Sequence, residues 1–436
     1  MTARRGIPRR DFCKTAVAIG GGAALAACTD RGESIDVEQG RLNLSTLPER
    51  QHAWNEFLAR DEVGNVVQPR HHVLLLLQLQ SQNDSTTGAA STRPTDTERE
   101  QVEQAFRGLE RAYERGNGGL VFTVGYSPRY FDRYDASLPE SVELPEPEAL
   151  APFESPKLDR PDAIVQLASD HAQVVLAAEE GLRGRRDTLN GLKLDASLTD
   201  VFEVGSRRTG FVGEGLPADN DGEDVVGVPD DDVPDDAPMY MGFKSGFEHN
   251  QATEDRVTIG DGAFAGGTTQ HASLIRLRLQ QWYEQDSRYH REATMFCPVH
   301  AEEGLVEGTG ENLGTSTEIT EQGCPADAEE HAREHGVVGH SQKAARARED
   351  GSPIILRRDF DSTDGGRASL HFVSLQRSID DFVDTRQQMN GTELTESGAV
   401  GQRVNNGILQ YMTVERRGNY LLPPRSLRSL PRPDPA

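Results

Sequence analysis

Apolar residues in this chain come in short runs and alternations, separated by polar stretches rich in Gly and Pro, and they predict strands and helices in a repeating order. The first run, Val73-Leu74-Leu75-Leu76-Leu77 within His72 to Gln80, reads as a buried strand. After a polar loop from Ser81 to Asp96, residues Thr97 to Arg115 put Val102, Phe106, Leu109 and Tyr113 on one helical face. Thr97 and Glu100 open that helix as a capping box and Gly116 closes it. Strands follow at Leu120 to Tyr126 and Ala163 to Ala168, then a helix from about Asp170 to Leu182. This β-α-β, β-α-β rhythm predicts a ferredoxin-like half with an antiparallel sheet.

The rhythm then repeats without obvious sequence similarity. Gln270 to Leu279 alternates, with Ile275, Leu277 and Leu279 on one face and Arg276, Arg278 and Gln280 on the other, and a helix follows around Gln281 to Met295. Strands near Ile354 to Asp359 and Ser369 to Leu375, and a helix from Ser378 to Met389, complete a second unit. Asp219 to Asp236, rich in Asp and holding Pro229 and Pro234, reads as a solvated loop at the boundary. The fold expected is α+β: two ferredoxin-like domains of the dimeric α/β-barrel type with antiparallel sheets, over residues 71–235 and 236–436.

The N-terminal segment sets the compartment. Arg9-Arg10-Asp11-Phe12-Cys13-Lys14 reads as a twin-arginine export signal, and the run Thr15 to Ala27 is too short to span a membrane. Leu25-Ala26-Ala27-Cys28 reads as a lipobox, so residues 1–27 are a signal peptide, Cys28 the lipidated first mature residue and 28–70 a polar tether. The protein is therefore expected on the outer face of the cell membrane, touching it through the lipid alone. With 71 acidic against 46 basic residues the net charge is −25, which excludes nucleic acid as a partner. Dense carboxylates with only 35% hydrophobic residues suit a folded protein kept hydrated in concentrated salt.

Beyond the signal, Cys297 and Cys324 remain, and in an oxidising compartment a disulfide between them is the first reading. A metal reading stands beside it, because Cys297-Pro298-Val299-His300 and Cys324 are followed by His331 and His335; free thiols are the third. Elsewhere, His340 precedes Ile354-Ile355-Leu356-Arg357-Arg358, which separates an imidazole from the Arg358 guanidinium by 358 − 340 = 18 residues. Such a pair suits the two faces of a haem, the imidazole ligating iron and the guanidinium facing peroxide.

Several segments in a fixed order carry a family resemblance. Gly119 to Asp132 (GLVFTVGYSPRYFD), Asp162 to Asp170 (DAIVQLASD), Gly242-Phe243-Lys244-Ser245-Gly246, and Gly266-Gly267 ahead of Leu274-Ile275-Arg276-Leu277-Arg278 resemble segments of the dye-decolorizing (DyP-type) haem peroxidases. Leu409-Gln410-Tyr411 and Leu422-Pro423-Pro424 resemble that family's close, and the likeness spans about residues 71 to 425, nearest the deferrochelatase/peroxidase branch. The resemblance implies one haem b per chain in the C-terminal half, ligated by His340, with Arg358, Gly242, Phe243 and Gly246 around it. It implies hydrogen peroxide as oxidant and small or bulky organic reductants as partners, and leaves homo-oligomerisation open.

One position departs from the family. Where its GFxDG signature has an Asp that helps move a proton, this chain has Ser245, and a hydroxyl cannot act as a base near neutral pH. Glu248 and His249 are the nearest substitutes in sequence. The alternative function is thus a haem-binding lipoprotein with little or no catalysis. Trp282, Tyr283, Tyr411 and Tyr420 are candidates to pass oxidising equivalents to the surface, and His271, His331 and His335 are rival iron ligands.

Overall fold

The apolar run near the start forms strand β1, His71–Leu79, whose residues 72–77 are all buried. Its run does not alternate because both faces are covered. Val73, Leu75 and Leu77 pack with Phe106, Leu109, Val175 and Leu182 on the helical side. Leu74 and Leu76 pack with Ile164, Phe360, Val373 and Leu422 on the other. Each such leucine contributes about 1.5–3 kcal/mol by leaving water. The computed structural model describes residues 36–80, 82–83, 90–91, 93–220, 225–229, 233–320 and 324–435, so the segment read as an export signal and Cys28 lie outside the described residues.

The elements that follow are α1 (Asp96–Ala112), β2 (Val121–Tyr126), β3 (Lys157–Leu158), β4 (Ala163–Ser169), α2 (Ala172–Leu182) and β5 (Phe202–Phe211). The second half holds β6 (Thr268–Leu277), α3 (Arg288–Met295), α4 (Pro298–Glu302), α5 (Ala328–His335) and α6 (His340–Ala344). It closes with β7 (Leu356–Arg357), β8 (Phe360–Ser362), β9 (Ser369–Gln376), α7 (Ile379–Asn390) and β10 (Met412–Leu422). Among the described residues these strands make a single sheet of order β6-β9-β8-β5-β1-β4-β2-β10-β3, and β10 also pairs with β6, so the sheet closes on itself. All pairings are antiparallel except β3 with β10.

The mixed helix and antiparallel-sheet fold is as expected, and the two halves share one core inside the closed sheet. They join edge to edge, through Asp361 opposite Phe211 and Leu421 opposite Tyr126, which satisfies strand edges that would otherwise be exposed. No helix among the described residues is long and apolar enough to cross a membrane.

Several boundaries moved for identifiable reasons. Helix α1 is capped by Thr95 and Glu98, two residues earlier than read, because Thr95-x-x-Glu98 and Thr97-x-x-Glu100 are both valid boxes and the chain uses the one next to Pro94. The helix expected at 281–295 is broken: a π-helical turn at Gln281–Gln285 ends before Ser287, which caps α3 by accepting from the His290 N–H at 3.2 Å. Described residues of the 28–70 segment are no tether. Ala53, Trp54 and Leu58 are buried, and Gln51 donates to the carbonyls of Val124 (3.1 Å) and Pro423 (2.8 Å). The segment lacks a period because it wedges against the sheet as coil, and its Trp was the signal of burial. The Asp-rich boundary loop likewise buries Val228 and Val233.

Candidate functional site

Strand alternation decides which side chains of the 354–361 segment meet. Leu356 and Phe360 join the cluster inside the closed sheet, so Arg357, Asp359 and Asp361 turn to the opposite face, where all three line a cavity. Its empty space is about 1380 Å³ including its mouth, and its walls are mostly apolar: Ile275 and Leu277 of β6, Leu370 and Phe372 of β9, Met389 of α7, and Phe243 and Phe296.

His340 is the first residue of α6 and lines the same cavity. The helix is only five residues long and is held by its polar neighbours. Gln342 accepts from the Gly339 N–H (3.2 Å) and donates to the Cys324 carbonyl (2.6 Å), while buried Lys343 donates to the carbonyls of Met389 (2.6 Å) and Asn406 (3.1 Å). A β-carbon at Gly339 would lie 1.7 Å from the Phe296 carbonyl oxygen, so the chain enters α6 only because that residue is glycine. With its neighbours so engaged, the His340 ring is left facing the cavity and makes no side-chain hydrogen bond among the described residues. Removal from water, then the Arg357 charge, pushes its pKa down to about 3, so the ring is neutral and its lone pair is free for a metal.

Arg358 is not in this cavity. It points inward, donates to the His52 carbonyl (2.8 Å) and Glu254 Oε1 (2.9 Å), and stacks over Trp54 at 4.1 Å. The cavity therefore takes Arg357 where the sequence pointed to Arg358: one step along a strand reverses the face, and spacing from His340 alone cannot see that. Asp359, missed for the same reason, accepts from the Val373 N–H at 3.0 Å and has its Oδ2 4.0 Å from Arg357. Burial raises its carboxyl pKa to about 6. Burial also raises that of Asp361, which accepts from the Tyr240 N–H at 2.6 Å.

The Gly242–Gly246 loop lies at the same cavity. Phe243 and Ser245 line it, with Ser245 on its exposed side. Gly242 (φ 81°) and Gly246 (φ 80°) provide the left-handed turns, and a β-carbon at Gly242 would meet the Tyr283 hydroxyl at 2.8 Å. Glu248 and His249 are exposed and absent from the lining, and Glu248 sits 3.8 Å from Arg60 instead. Of the rival ligands, His271 is buried between Asn419 (2.7 Å), Ser273 (2.7 Å) and the Phe382 ring, and His331 and His335 sit on α5; none lines the cavity. Trp282 and Tyr411 pack edge to face at 4.7 Å behind Phe243, whereas Tyr420 belongs to the core inside the sheet.

Cys297 and Cys324, for which a disulfide was the first reading, are both buried, with their sulfurs 3.3 Å apart.

A family model described as a family of unknown function, DUF7405, matches residues 69–424. The chain belongs to DUF7405. No curated protein matches it. In three dimensions this DUF7405 chain is similar to the DyP-type peroxidase from Cellulomonas bogoriensis, with TM-score 0.52, 17% identity, 84% of this chain and 93% of that one covered. It is also similar to a variant of DypB from Rhodococcus jostii RHA1 in complex with heme, with TM-score 0.51, 13% identity and coverage of 88% and 99%. At such identities the shared property is the fold.

Proposed function

We propose that this DUF7405 protein is a haem-dependent peroxidase of the DyP type, with haem b held in the cavity between β6, β9, α6 and α7. The observation that carries it is that His340 and Arg357, an unpartnered neutral imidazole and a guanidinium, line one large apolar cavity. The residues fit the group: a neutral nitrogen for the iron, apolar walls for the macrocycle, and Arg357 as a cation for a carboxylate side arm or a bound oxidant. Haem, when bound, supplies the redox chemistry that reduces peroxide. Arg357 orients the oxidant and stabilises negative charge on its oxygen. Asp359, raised to about 6, is the pocket carboxylate that carries the proton the family assigns to the position occupied here by Ser245. The reading divides the chain into two ferredoxin-like halves, each with strand order 4-1-3-2 or its reverse, the cofactor belonging to the second.

The twin-arginine motif at Arg9-Arg10 and the Cys28 lipobox support export and lipid anchoring on the outer face, and the −25 charge supports a salt-rich setting without nucleic-acid partners. The organic donor is bulky, oxidised at the surface, with Trp282 and Tyr411 as the route outward.

The second reading, haem binding without turnover, is favoured by Ser245. The two are separated by peroxide-dependent dye oxidation by haem-loaded protein in molar salt. The peroxidase reading expects turnover that falls about 10²–10⁴-fold in Asp359→Asn and changes little in Ser245→Asp. An inactive native protein that gains turnover in Ser245→Asp would overturn it in favour of the binding protein.

A further inference from the structure

Outside the cavity, one cluster has the donor chemistry of a metal centre. Cys297 Sγ lies 2.9 Å from His300 Nδ1 and 3.3 Å from Cys324 Sγ, and all three side chains are buried. Among the described residues they form the one group of Cys, His and carboxylates with ligand atoms mutually within 4.8 Å, and no fourth such residue joins them. His331 and His335, grouped with these cysteines in the sequence reading, stand apart on α5.

We propose that Cys297 Sγ, His300 Nδ1 and Cys324 Sγ bind one thiophilic divalent cation, zinc being the match in ligand type. The decisive contact is on the far side of the imidazole. His300 Nε2 is 2.7 Å from the Thr317 carbonyl oxygen, which can only accept, so the ring proton sits on Nε2 and the Nδ1 lone pair points at the sulfurs. An imidazole whose second nitrogen is held by a backbone carbonyl is the usual outer support of a metal ligand. A disulfide would leave that buried lone pair without a positive or protonated partner. Zinc at bond lengths of about 2.3 Å to sulfur and 2.0 Å to nitrogen needs the three atoms spread by a few tenths of an ångström. Exchange of two thiol protons for the ion balances the charge and proton count: two thiolates and a neutral imidazole, two protons released.

The site's place in the fold gives it a role. Thr317 lines the main cavity, Phe296 next to Cys297 accepts from the Gln342 N–H at 3.3 Å, and Cys324 accepts from the Gln342 amide at 2.6 Å. An ion here ties together the two segments, at Phe296–Cys297 and at Cys324, against which Gln342 seats α6. The inference does not depend on what fills that cavity.

The test is metal content and thiol counting on full folded protein purified without chelator or reductant, with haem iron counted separately by absorbance. The expected result is one zinc per chain and two thiols that react with a mercurial only as that zinc is released. Chelator-stripped protein should take up one equivalent of added zinc sulfate. Chains without zinc that refuse it while both thiols react freely would overturn the proposal, and so would chains with no thiol until a reductant is added. A His300→Ala protein, which keeps both sulfurs, should lose zinc at least tenfold more readily; unchanged retention would remove His300 from the site.

Discussion

Arg357 and Arg358 are adjacent, chemically identical and assigned to opposite tasks by the pleat of one strand. Arg357→Ala should leave folding near native and lower kcat/KM for peroxide by about 10²–10³, the cost of removing a donor aimed at developing charge. Arg358→Ala should instead take from half-buried Glu254 its cationic partner and lower stability by about 1–3 kcal/mol, read as a lower denaturation midpoint. The same activities from both variants would contradict the assignment. Asp359 adds a pH dependence. Its pKa, raised by burial from 3.8 to about 6 with Arg357 and Asp361 beside it, means that the native state holds a proton that the unfolded chain has lost in that window. Stability from this group is therefore present below about pH 4 and declines as pH rises through 6. If Asp359 must ionise to take a proton from peroxide, kcat/KM should rise through pH 6, and Asp359→Asn should lose that limb. Of the cavity's polar lining, His340 was legible in the sequence from its context. Which arginine and which carboxylate faced it was not, because spacing fixes a distance along the chain while burial of Leu356 and Phe360 fixes the face.

At the scale of elements, the strands were the readable part, because their apolar runs exceed what a loop carries. Helix α6 was unreadable: five residues without an apolar stripe, formed because Gln342 and Lys343 find buried carbonyl partners from distant segments. Its seat has one steric requirement, glycine at 339. Gly339→Ala should push α6 off the Phe296 carbonyl, lower stability by about 1–3 kcal/mol and weaken cofactor retention more than it lowers the melting temperature. Retention equal to wild type would show that α6 is not what positions the ligand. The coil from residue 36 to 70 was misread as a tether for a related reason: it has no period, and its burial rests on single anchors such as Trp54 and Gln51.

For the whole molecule, the rhythm of helices and strands predicted two similar units, but not that strands from both would hydrogen-bond into one closed sheet. That closure rests on two single-residue bridges far apart in sequence, which no local pattern encodes. The excess of acidic residues acts at this scale as well. Circular dichroism should show the fold loosening between molar salt and salt-free buffer, as unscreened carboxylates repel, whereas an unchanged spectrum would refute the high-salt reading. That His340 presents its nitrogen to haem iron is tested by titrating haem into wild-type and His340→Ala proteins in molar salt and recording the Soret band. It predicts one haem per chain with the spectrum of imidazole-ligated iron in wild type, and loss of that spectrum in the variant. A wild type that takes up no haem, or a variant whose spectrum is unchanged, would contradict it.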